Sequence, residues 1–164
     1  MLLIKPVVIS LLLLSFSRVA LASEQVDLVV IKKSKSTMQL LQHGKVLKQY
    51  RIAMGDQPAG HKLKEGDQRT PEGRYVLDYK KPNSSYYRAI HISYPNDEDI
   101  FRARALGINP GGQIMIHGEN PHSLLPAEEA QQYNWTNGCI AVTNKQMDEI
   151  WQLVKAGTPI EIWP

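Results

Sequence analysis

At 164 residues the chain has room for one domain with a substantial hydrophobic core, and not for two ordinary domains. Its 43% apolar and 21% charged residues are a globular composition, which excludes a disordered or low-complexity chain. A formal charge of +3 gives no reason to expect nucleic acid or a polybasic membrane surface, and one cysteine excludes a disulfide framework.

Residues 1–22 read as a secretory signal peptide rather than as part of the fold. Lys5 gives a basic start, residues 6–16 a short apolar stretch, and Ala20 and Ala22 the small residues of a cleavage site. The apolar run is short for a span of roughly 20 residues. Cleavage is therefore expected after Ala22, leaving residues 23–164 as a single exported domain with no stable membrane span. Loss of Lys5 and Arg18 reduces 19 basic residues to 17, against 16 acidic ones.

The exported part begins with three short β-rich runs, 26–31, 37–42 and 46–53, the last two parted by a His43-Gly44 turn. Glycine or proline recurs every few positions over 55–73, which predicts a loop region. Within it His61-Lys62-Leu63-Lys64, beside Glu65 and Asp67, reads as a solvated basic loop, and Thr70-Pro71-Glu72-Gly73 as a type I turn. A strand over 74–79, a loop over 80–86 and a short alternating strand over 88–93 follow. Residues 97–106 suit a short helix before Gly107. Pro110-Gly111-Gly112 is a turn, and 113–116 an apolar strand ending at His117-Gly118. Residues 119–135 are polar and long enough to act as a lid, with a helical turn at 126–130. After a short apolar run over 140–142 comes the clearest helix, 144–156. Thr143 and Gln146 form a capping box, and Met147, Ile150, Trp151 and Val154 recur on one face. Gly157 and Pro159 stop it, and 160–163 is a final strand.

A lone thiol in an oxidising compartment is either buried and inert or kept for chemistry. Cys139 follows Gly138 at a turn into an apolar strand, where glycine allows close backbone approach and nearby N–H groups can stabilise an oxyanion. His117 ends a strand beside Gly118, a position suited to a general base. The 22 residues between His117 and Cys139 suffice for a loop to leave one strand and return on its neighbour. His91 lies in a strand and faces either a cleft or the core, with core packing favoured. His43, His61 and His122 sit in a turn, a loop and the lid. No H-x-x-x-H or C-x-x-C spacing supports a metal site, and no phosphate-binding glycine loop implies a cofactor.

Ile116-His117-Gly118, followed by Thr136-Asn137-Gly138-Cys139-Ile140-Ala141-Val142-Thr143-Asn144, resembles the signature of YkuD-type L,D-transpeptidase catalytic domains. Gly66-Asp67, Thr70-Pro71-Glu72-Gly73-Arg74-Tyr75, Ser93-Tyr94-Pro95-Asn96 and Pro110-Gly111-Gly112 extend the resemblance to most of residues 26–163. It implies a mainly β fold of two mixed sheets with a few short helices. It also implies Cys139 as nucleophile, His117 as base, and Gly118 as the residue whose carbonyl orients the imidazole. Asn137, Gly138 and His91 are carried as candidate substrate-binding residues. The implied substrate is the peptidoglycan stem peptide, acylated on the thiol with release of D-Ala and passed to an amine, giving a crosslink or an attachment to a wall-linked lipoprotein. That chemistry implies the periplasm and no cofactor. Two departures stand out: many members carry His where this chain has Asn137, and Arg where it has Ala141. A hydrolase on the same scaffold, an L,D-carboxypeptidase or an amidase cutting a crosslink, and a wall-binding domain without catalysis are the alternatives.

Overall fold

The computed structural model describes residues 25–164; the expected signal peptide and its cleavage point lie outside them. The first elements follow the predicted meander. The β-branched run β1 (Leu28–Lys32) is antiparallel to β2 (Thr37–Gln42), which pairs with β3 (Lys45–Arg51). His43 and Gly44 take φ of 50° and 75°, as a two-residue turn between right-twisted strands requires.

β4 (Gly73–Ser84) pairs with β8 (Thr158–Trp163) through its first half and with β5 (Tyr87–Ile92) through its second. This corrects the expected 80–86 loop. The strand continues to Ser84 because β5 offers a partner, and the Ser84↔Tyr87 pair leaves Ser85-Tyr86 as the turn. The Thr70–Gly73 segment forms no turn, and Gly73 already opens β4. β6 (Met115–His117) and β7 (Ile140–Ala141) complete the order β3-β2-β1-β8-β4-β5-β6-β7. The expected two sheets are thus halves of one curled, mixed sheet joined through β4. Its two edges meet where Ala53, just past β3, exchanges both backbone hydrogen bonds with Ala141 of β7, at 3.0 and 2.8 Å.

Period-two alternation sends Leu77, Ile90, Ile92, Ile116 and Ile140 to one face, where they are fully buried with Met147 and Ile150. Burying each of these large side chains stabilises the fold by about 1.5–3 kcal/mol. The last two come from α3 (Asn144–Leu153), whose Thr143–Gln146 capping box forms as the sequence suggests. The helix ends one turn before the predicted stop at Gly157. Val154 leaves it in an extended conformation and is itself fully buried, so packing rather than a glycine ends it. α1 (Asp97–Leu106) is capped reciprocally by Asn96 and Asp99, and α2 (Ala127–Ala130) lies in the lid.

The basic loop is solvated only in part. Lys62 is 3% exposed and pairs with Asp67 at 2.8 Å, and His61 Nε2 lies 2.9 Å from buried Asp99. Lys64 and Glu65 remain exposed, so only part of the loop is solvated, and Asp99 is a partner of His61 that sequence distance conceals.

Candidate active site

β6 and β7 run parallel with Ile116 opposite Ile140 and His117 opposite Ala141. Ile116 and Ile140 point into the core, so alternation puts His117 and Cys139 on the other face of adjacent strands. Sheet register therefore places the two residues of the sequence reading on one face of neighbouring segments. His117 is 4% exposed, whereas Cys139 is half-buried. Among the described residues the thiol makes no hydrogen bond to the imidazole. Sγ lies 3.6 Å from the Gln113 carbonyl oxygen, a resting orientation.

His117 Nδ1 is 2.8 Å from the Gly118 carbonyl oxygen. That oxygen is an acceptor only, so Nδ1 carries the proton and the lone pair sits on Nε2. Burial lowers the imidazole pKa, against the Gly118 bond that raises it. Burial likewise pushes the Cys139 thiol up, against the Met115 N–H and the Lys62 charge. Both shifts favour the neutral forms of the two groups. Gly118 cannot be replaced freely: a Cβ there would collide with Asn144 Oδ1 and come within 2.9 Å of Tyr87 Cβ.

The turn before the thiol is built by glycine and threonine. Gly138 has φ of 122°, and a Cβ on it would stand 2.6 Å from the Arg69 carbonyl oxygen. Thr136 Oγ1 donates to the Cys139 carbonyl oxygen at 2.7 Å and accepts from the Gly138 N–H at 3.1 Å. The Gly138 amide is therefore committed within the turn and is not a free oxyanion donor. Asn137 is exposed at the apex. His91 lies opposite Met115, on the same sheet face as His117, with Nδ1 2.7 Å from Asp78 Oδ1 and its ring stacked on Tyr79. Its position opposite Met115 brings it to the candidate site's side of the sheet, but its imidazole is already engaged.

The lid, residues 119–135, is held at both ends. Glu119 and Asn144 exchange bonds of 3.0 and 2.7 Å, while Gln131 Oε1 and Asn134 Oδ1 accept from the Ala53 and Met54 amides. A cavity of about 350 Å³ lies beneath, lined by Tyr87, Glu119, Asn120, Gln131 and Trp135 among others. The sequence carries no sign of the aromatic rings that clamp His117: Tyr86 and Trp135 lie 4.6 and 5.7 Å from its ring. Trp135 packs on the His117 ring, while Tyr133 and His122 are exposed. Nothing local links Tyr86, thirty-one residues upstream, to His117. Among the described residues there is no cluster of metal-ligating side chains and no helix long and apolar enough to cross a membrane.

A thiol and an imidazole on neighbouring parallel strands of a curled mixed sheet, with a lid beside them, form the framework of an L,D-transpeptidase catalytic domain. The chain matches the YkuD family, the L,D-transpeptidase catalytic domain, over residues 26–162, and belongs to it. It is 36% identical to YafK of Escherichia coli K12 over 111 residues, covering 66% of this chain and 37% of YafK. It is 27% identical to YqjB of Bacillus subtilis 168 over 138 residues, 82% of this chain and 69% of YqjB. Among solved structures it is similar to Pgp2 of Campylobacter jejuni, a helical cell shape determining protein. There the TM-score is 0.63 at 27% identity, over 85% of this chain and 48% of that one. A Mycobacterium smegmatis L,D-transpeptidase shares the fold, with a TM-score of 0.56 at 18% identity, over 84% of this chain and 58% of that one. The chain thus spans little more than a third of YafK and about half of Pgp2.

Proposed function

We propose that this protein is an exported cysteine acyltransferase, an L,D-transpeptidase of the periplasm acting on peptidoglycan stem peptides. The observation that carries the reading is the tautomer of His117: with Nδ1–H on the Gly118 carbonyl, Nε2 is a base on the face that holds Cys139. Nε2 takes the thiol proton as Sγ attacks the carbonyl carbon of the third stem residue. The oxyanion forms against the Cys139 amide. The tetrahedral intermediate collapses, the C–N bond to the terminal D-amino acid breaks, and His117 returns the proton to the leaving nitrogen. An amine then attacks the thioester and His117 takes its proton, so that Sγ leaves and recovers a proton. A neutral resting pair fits this cycle, because the charge appears once substrate has displaced water. His91, Asn137 and Gly138 border the stem peptide, and no cofactor takes part. A wall-linked lipoprotein is a further candidate acceptor. The similarity to Pgp2, described as determining cell shape, supports a wall substrate.

Hydrolysis of the thioester is the second reading, favoured by the exposed Asn137 and half-exposed Cys139, which leave the thioester open to water. Purified protein with a disaccharide-tetrapeptide decides between them. Dimers joined through two third-position residues, read by mass spectrometry, are expected; tripeptide alone assigns the hydrolase. Cys139→Ala should abolish both products while leaving the melting temperature close to wild type, and His117→Ala should cost on the order of 10²–10⁴ in rate. Turnover by Cys139→Ala near the wild-type rate would sink the thiol mechanism.

A further inference from the structure

Neither Cys139 nor His117 lines the cavity under the lid, and the acyl-transfer cycle above does not use it. Its volume of about 350 Å³ is at the low end of the roughly 300–1,000 Å³ of small-ligand pockets. A second cavity of about 230 Å³ shares Leu125, Ala130 and Trp135 with it and adds Tyr133, so an apolar space adjoins it. Two polar groups in this space are left unspent. The Trp135 indole N–H is buried and donates to no acceptor among the described residues. Leaving a buried donor without an acceptor costs about 1–3 kcal/mol. Glu119 is the one charged residue among those that line the larger cavity. Its Oε1 accepts from the Asn144 amide at 2.7 Å, and among the described residues its carboxylate meets no cation. The other side-chain oxygens of the lining are committed. Those of Asn120, Ser123, Gln131 and Asn144 accept from the His122, Leu125, Ala53 and Glu119 amides, and Tyr87 Oη donates to Asp148.

These groups specify the chemistry of an occupant. A single carboxylate with no cation beside it repels an anion and attracts a cation. The free indole N–H requires an oxygen acceptor on the same molecule. The apolar wall of Leu125, Ala127 and Ala130 suits an aliphatic chain. We infer that the lid cavity binds an α-amino amide with an aliphatic side chain, its ammonium on Glu119 and its carbonyl oxygen on the Trp135 indole N–H. An ammonium held on a carboxylate has no lone pair with which to attack a thioester, so the site recognises an amine and does not consume it. The Trp135 ring also stands edge-on to the His117 ring at 5.7 Å, so an occupant lies one ring away from that imidazole. The inference does not depend on the chemistry of the thiol.

Norleucinamide, which carries the ammonium, the carbonyl and a butyl chain, is the probe. Added to the ¹⁵N-labelled protein, it should move the Trp135 indole N–H signal saturably and leave those of Trp151 and Trp163 in place. Trp135→Phe assigns the signal. Calorimetry should show N-acetylnorleucinamide, without the ammonium, and hexylamine, without the carbonyl, each binding about tenfold more weakly. Glu119→Gln keeps an oxygen for the Asn144 amide and removes the charge. It should retain the wild-type melting temperature and bind norleucinamide about tenfold more weakly, whereas a Glu119 that only anchors the lid predicts unchanged affinity. Trp135→Phe should weaken binding about fivefold. No saturable shift of the Trp135 signal, or equal binding of the three probes, would overturn the inference, and so would wild-type affinity in a folded Glu119→Gln. If that variant does not fold, the comparison of norleucinamide with its N-acetyl form on the wild-type protein decides alone.

Discussion

Residues 136–142 and residues 119–135 both touch His117, through the Val142 amide and the Trp135 ring, and are built by opposite means. Residues 136–142 are fixed by backbone: a parallel ladder to β6, the Ala53–Ala141 bridge that closes the sheet, and a glycine pressed against Arg69. Residues 119–135 carry a run of exposed positions, with Leu124 fully exposed, and hang on the side chains of Glu119, Gln131, Asn134 and Asn144. Opening the turn disrupts the sheet and costs much of the global stability. Opening the lid breaks a few side-chain bonds. The segment that carries Cys139 is thus held by cooperative structure, whereas residues 119–135 belong to the low-stability end of the molecule.

Gly138→Ala gives the largest expected effect on this contrast. The new Cβ meets backbone rather than a flexible side chain, at a φ that L-residues avoid. A loss of about 3 kcal/mol in urea unfolding is expected. A loss below about 0.5 kcal/mol would show that the turn is as yielding as the lid.

The loop behind the turn supplies a pH-dependent test. Burial alone would raise the Asp67 pKa, but the Lys62 ammonium and the Leu63, Lys64 and Arg69 amides outweigh it and hold the carboxyl at about 2. The folded value lies below the unfolded one of about 3.9. Its contribution, about 2 kcal/mol, is therefore present above pH 4 and lost as pH falls through 2. Asp67→Asn should flatten the acid limb of the stability curve between pH 4 and 2. An unchanged limb would place the acid sensitivity elsewhere.

Gln131→Ala should have the smallest effect, about 1 kcal/mol, since the Ala53 amide keeps its bond to Ala141. Hydrogen exchange should speed up across 120–133 and stay unchanged at Ile140 and Ala141. Faster exchange on β7 would mean that lid and turn open together.

Much of the site was legible in the chain. The strand ends at His117 and Cys139 follow from short apolar runs closed by Gly118 and opened by Gly138, and the α3 capping box from residues three apart. These are local rules, and spacing alone satisfies them. Other features had no local signal. β4 runs to Ser84 because β5 is there to pair with it, and α3 stops where Val154 finds the core. The charges of 61–67 look solvated in sequence because nothing near them announces Asp99 or the nucleophile turn as neighbours. The sequence by itself determined the candidate nucleophile and base, Cys139 and His117, and the periodicities of the strands that carry them. The tertiary structure alone decided that one sheet curls until its edges meet at Ala53 and Ala141, that Tyr86 and Trp135 close on the imidazole, and that a lysine read as surface lies buried against Asp67. The physical reason is that burial and charge pairing depend on distance in space, which sequence separation does not measure.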